Sequence, residues 1–161
     1  MVISIDNSEI KNQIRVTNTL YYTLIIGLLM FFVIVMVLIH EKDPVSGNEL
    51  DTIFTFIVPL LGLLMMFASM IIYSQMLSKY DSGRSLLQKI SYFRTAKIVA
   101  WAMIEGACLF ALVATMLTSN YLYVAVAIFL FGYFILMRPS KESLIRDMRL
   151  NSEESDIILK S

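Results

Sequence analysis

The sequence is poor in the residues from which soluble catalytic and metal centres are built. Its single cysteine excludes an internal disulfide, and its single histidine leaves nothing from which to assemble a histidine-built metal site. Charge is scarce as well, at 16% of residues against roughly a quarter in a typical soluble domain. The 13 basic and 13 acidic side chains cancel, so nothing in the balance points to nucleic acid as a partner. No Walker loop, dinucleotide fingerprint, or nucleophile with its base occurs anywhere in the order of residues. No segment outside the apolar runs is long enough to fold as a separate catalytic domain. The chain is therefore expected to be non-enzymatic, with no cofactor and no metal.

What the sequence has in abundance is apolar surface: 58% of residues, with a mean hydropathy of +0.73. Residues 16–39 and 52–78 carry no charge, 98–118 carry only Glu105, and 121–137 carry none. A helix needs about 20 apolar residues, and no fewer than about 17, to cross a hydrocarbon core of roughly 30 Å. Backbone groups in lipid must bond internally, which makes these runs helices, and the alternation of a barrel strand is absent. The expected fold is all-α: a four-helix integral membrane bundle over residues 1–138, followed by a tail, 139–161, with a short helix.

Lys and Arg set the orientation. With both termini in the cytoplasm, twelve of the 13 basic residues lie inside and only Lys42 lies outside. The expected location is the cell inner (plasma) membrane, multi-pass, with the lipid bilayer as the first partner. Span 1 is too long for the core of a cleavable signal and is expected to remain.

Along the chain, Asn7 or Ser8 can cap a helix whose residues Ile10, Ile14, Thr17 and Tyr21 lead into span 1. Tyr21, Tyr22, Tyr73, Trp101 and Tyr133 fall toward one membrane surface, with Tyr121 and Tyr123 at the other, as an interfacial belt would. The acidic loop 40–51 lacks the spacing of an EF-hand and reads as solvated. Pro59 removes a backbone donor inside span 2 and predicts a bend, with a hinge as the alternative. Leu86, Leu87, Ile90 and Phe93 alternate with Arg84, Lys89, Arg94 and Lys97, the pattern of a short amphipathic helix lying on the inner membrane surface. Pro139 to Glu142 open the tail helix. Residues 151–161 read as a loose end, with Ile157-Ile158-Leu159 as a docking handle or a frayed terminus.

Glu105 is the only ionisable acid or base inside any of the four runs. An acidic residue at a membrane-helix centre costs on the order of 2.5–3.5 kcal/mol, so such residues are functional candidates by default. Counting depth along the other spans places Thr23, Ser69, Tyr73, Ser74 and Tyr133 near its level. All five carry hydroxyls and none a positive charge, so a neutral, hydrogen-bonded acid is easier to build there than an ion pair. Three roles stay open for it: a structural hydrogen bond, a proton or cation site, and a contact with a partner. Around it, Ala102 and Gly106, and Ala107 and Ala111, lie four apart, the spacing that lets membrane helices approach closely. Cys108 reads as a small packing residue.

The run Ile104-Glu105-Gly106-Ala107-Cys108-Leu109-Phe110-Ala111-Leu112-Val113 resembles the carboxylate helix of the rotor-ring c subunit of F-type ATP synthases. That helix reads hydrophobic-Glu-Ala-x-x-x-Tyr/Phe-Gly/Ala-Leu-Val. The resemblance covers ten of 161 residues. It implies that Glu105 carries a proton or sodium ion, with Phe110 near it. The glycine-repeat partner helix of that family has no counterpart here. As a whole the chain resembles uncharacterised four-span inner-membrane proteins of bacteria. Two functions follow as expectations: a structural or assembly subunit that meets another copy or another membrane protein through the small residues of span 3, or proton- or cation-coupled translocation centred on Glu105.

Overall fold

A computed structural model describes residues 7–40, 49–79 and 85–160. Among them are six helices and no strand: α1 (Asn7–His40), α2 (Glu49–Ser78), α3 (Leu86–Thr118), α4 (Tyr121–Leu136), α5 (Lys141–Asp147) and α6 (Ser152–Lys160). The first three contain 34, 30 and 33 residues, and each is long and apolar enough to cross a membrane. With 16 residues, α4 reaches only ~24 Å against a core of roughly 30 Å. A 77° bend joins it to α5, so the helices able to cross number three, or four if the bent pair forms one broken span.

The bundle is organised around α3, which packs against α1, α2 and α4. Close approach is possible because several of its inward positions are small: Ala100, Ala107, Ala111 and Ala114 are all buried. Larger side chains fill the space between helices, including Leu28 and Val35 of α1, Val58 of α2 and Leu130 of α4. On the other side α1 and α2 present Ile26, Met30, Val37, Phe56, Leu60 and Phe67 outward. Apolar residues on both faces are what lipid in place of water allows.

Helix ends inside an apolar bundle must dispose of their unpaired backbone groups, and each end of α4 does so with side chains. At its start Asn120 accepts from the Leu122 N–H at 2.9 Å, just after Ser119 closes α3 in the left-handed conformation, φ 55°. At its finish the Tyr21 hydroxyl donates to the carbonyls of Phe134 and Ile135, at 3.2 and 3.0 Å. The Trp101 indole donates to the Met137 carbonyl at 3.2 Å. Satisfied carbonyls let α4 stop and the chain turn sharply into α5, whose first turn is closed by a reciprocal Ser140–Ser143 capping box.

Three expectations are corrected. The amphipathic segment around 84–97 is not a separate surface helix, because α3 runs unbroken from Leu86. Its charges are accommodated instead: Lys89 pairs with Glu154 at 2.7 Å, Arg94 donates to Gln13, and Lys97 lies over the Tyr73 ring, 4.6 Å from its centroid. The end of the tail is not a loose end either. It forms α6, with Ile158 fully buried in a second core with Ile10, Leu86, Ile90, Phe93, Leu144 and Met148. Lastly, Tyr21, Trp101 and Tyr123 do not face lipid as a belt: all three are buried, whereas Tyr22 and Tyr121 are exposed. Residues 41–48 of the acidic loop, and Arg84, lie outside the described residues. Through Pro59, α2 continues as one helix. One turn later Gly62 meets α4 closely enough that a Cβ there would lie 3.3 Å from Leu130.

Candidate functional site

Glu105 stands ~20 Å along α3 from the Thr118 end and ~29 Å from the Leu86 end at about 1.5 Å per residue. It is half-buried, and it makes no hydrogen bond or ion pair among the described residues. The five hydroxyls expected near its level do not reach it. Thr23 is exposed and donates to its own helix at Thr19 O, 2.9 Å. Ser69 is buried and likewise donates to Met66 O at 2.8 Å. The Tyr73 hydroxyl is taken by Asp147, at 2.6 Å from Oδ2. Ser74 is exposed, and Tyr133 packs half-buried against the main core.

The small residues near Glu105 divide between two faces of the helix. Ala107 and Ala111 point inward and are spent on the bundle, as is Cys108, whose Sγ donates to Ala127 O at 3.2 Å. Cys108 also borders an apolar cavity of about 250 Å³ with Leu28, Phe32 and Leu112. Ala102 and Gly106 point outward and are exposed. A Cβ added at Gly106 would meet nothing within 4 Å. With Leu109 half-buried and Val113 exposed, these positions recur at three- and four-residue steps and form one outward stripe with Glu105. The arrangement offers a carboxyl at mid-helix on a shallow face, with no cage of ligands. Among the described residues, no group of three or more His, Cys, Asp or Glu side chains could hold a metal ion.

Two polar clusters at the bundle's ends were not expected from the sequence. At the acidic end Tyr123 donates to Asp51 Oδ1 at 2.7 Å, with Asp51 O at 2.9 Å and Thr55 Oγ1 at 3.2 Å also in reach. Asn120 Nδ2 joins Asp51 Oδ1 at 2.9 Å. These bonds clamp the start of α2 to the α3–α4 turn. At the basic end Tyr73, Lys97 and Asp147 tie α2, α3 and α5 together, and Tyr92 donates to Met76 O at 2.8 Å. The available signal was positional: Asp51 and Asn120 both stand at the edge of an apolar run, on the same side.

The chain matches no family model, no curated protein and no solved structure.

Proposed function

We propose that this chain is a non-enzymatic, four-span protein of the cell inner membrane, both termini cytoplasmic, that acts as a structural or assembly subunit by pairing with a second copy through the outward face of α3. The observation that carries the reading is the half-buried Glu105 with no partner among the described residues, beside an open Gly106 and an exposed Ala102. A carboxyl in hydrocarbon gains by finding a hydrogen-bond partner. A protonated carboxyl is both donor and acceptor, so it is complementary to itself. A two-fold pairing of α3 helices would bring two such groups together, and the methyl of Ala102 and the bare Gly106 would let the backbones close in. The basic residues gathered at one end favour a cytoplasmic placement of that end.

The test is energy transfer between donor- and acceptor-labelled copies in phospholipid vesicles. Wild type is expected to pair, Glu105→Gln to retain most of the pairing, and Gly106→Leu to lose it. Wild type that stays monomeric at every protein-to-lipid ratio would remove the reading.

A second reading, proton- or cation-coupled translocation, draws on the same unpartnered carboxyl and on the rotor-ring resemblance of residues 104–113. Ion flux into liposomes that is equal for wild type and Glu105→Gln would dispose of it.

A further inference from the structure

A second feature lies at the basic end, away from the α3 stripe. A groove of about 440 Å³ opens between Ile14, Thr17 and Asn18 of α1, the start of α3 and the elbow where α4 turns into α5. Its polar lip is formed by Asn18, Arg138 and Lys141, and its apolar floor by Ile90, Phe93 and Leu144. Arg138 makes no ion pair among the described residues, and neither does Lys141, whose Nζ donates one hydrogen bond, to Leu159 O at 3.3 Å. The Asn18 amide makes no hydrogen bond among the described residues. Glu142, also at the lip, is committed to its own turn: bonds from its backbone N–H and from Ser140 hold its carboxyl below the usual range. Arg138 is thus left to face the groove, and Lys141 stands beside it, also attracting the Glu142 carboxyl.

The level of the lip says what fills it. Arg138 follows the last residues of α4, and Asn18 lies two residues into the first charge-free run. Both stand where an apolar helix leaves the hydrocarbon, which is where lipid phosphates lie. A planar guanidinium grips a phosphate with two bonds. The apolar floor shields one side from water and strengthens the attraction. We propose that this groove holds the headgroup of an anionic phospholipid, its phosphate against Arg138 and Lys141 and its polar headgroup atoms against Asn18. The inference rests on the membrane placement proposed above, and it is independent of pairing through α3.

Native mass spectrometry of the detergent-solubilised full chain tests it, with phosphatidylglycerol and phosphatidylcholine of matched acyl chains added in equal amounts. Wild type is expected to retain phosphatidylglycerol roughly tenfold over phosphatidylcholine, since each basic group near a membrane surface strengthens anionic-lipid binding several-fold. Arg138→Gln with Lys141→Gln should abolish the preference. Asn18→Trp, which fills the groove without removing charge, should abolish it too. Lys79→Gln with Arg149→Gln, an equal loss of charge outside the groove, should leave it intact. Glycerol 1-phosphate and inorganic phosphate at matched concentration should not displace the lipid. Displacement by either would assign the site to a soluble anion and overturn the lipid proposal. Equal retention of the two lipids, or a preference that falls as much in the Lys79/Arg149 variant, would overturn it as well. If the protein needs detergent to leave the membrane fraction yet shows no lipid preference, the membrane reading stands and the groove proposal does not.

Discussion

The two faces of α3 are built from similar residues and meet different fates. Inward, Ala100, Ala107, Ala111 and Ala114 are buried against three neighbouring helices, and the polar atoms near them are used: Cys108 on Ala127 O, Trp101 on Met137 O. Outward, Ala102 and Gly106 face open space, and the one polar group between them has no partner among the described residues. Small residues inside are explained by the bundle they permit. Small residues outside, next to a carboxyl without a partner among the described residues, are the features the proposed pairing would use.

The largest expected effect breaks the inner face. Leu in place of Ala107 or Ala111 forces bulk between helices already in contact and should cost about 1–3 kcal/mol each, more in combination. The midpoint of unfolding in dodecyl sulfate reads it. The same change at Ala102 should leave that midpoint within about 0.5 kcal/mol of wild type and weaken pairing in vesicles instead.

Glu105→Leu sharpens the contrast, because its sign is diagnostic. A carboxyl that faces lipid without a partner burdens the monomer, so its removal should stabilise the monomer by roughly 2 kcal/mol or more while it reduces pairing. A destabilised monomer would mean that Glu105 is bonded within its own chain.

At the acidic end, Tyr123→Phe removes the hydroxyl that donates to Asp51 and should cost about 1–2 kcal/mol. Hydrogen exchange at the start of α2 and at the α3–α4 turn should rise, with pairing unchanged. The smallest change is Gly62→Ala. The nearest atom is the end of the Leu130 side chain at 3.3 Å, which can shift a few tenths of an ångström, so a cost under about 1 kcal/mol is expected.

Much of this was legible in the sequence. The apolar runs 16–39, 52–78 and 121–137 fall on α1, α2 and α4, with ends matched closely on the apolar side, because hydrocarbon length and the exclusion of charge constrain such runs directly. The break expected between a short helix around 84–97 and the span from 98 is absent from α3, and it was expected because Lys89, Arg94 and Lys97 look like the edge of a span. Only the fold supplies Glu154, Gln13 and the Tyr73 ring to receive them. The tail was misread for a similar reason: Ile158 meets Ile90 and Phe93 only after α3 is in place. Buried Tyr21, Trp101 and Tyr123 have the same amphipathic chemistry as an interfacial belt, so sequence position does not separate capping a helix end from facing a headgroup.

Glu105 stood out as a lone charge, yet its orientation did not. Where lipid replaces water, both faces of a helix are apolar, and the periodicity that marks the inside of a soluble helix is lost. Alanines and glycine around the whole circumference of α3 erased what remained of it.

The outward face is tested most directly by disulfide trapping in native membranes, in a Cys108→Ala background that removes the only native cysteine. Gly106→Cys and Ala107→Cys differ by one position along the chain and by which side of α3 they occupy. Pairing through the outward face predicts that mild oxidation links Gly106→Cys into a dimer and leaves Ala107→Cys monomeric. No dimer from Gly106→Cys, or equal linking from both, would contradict it.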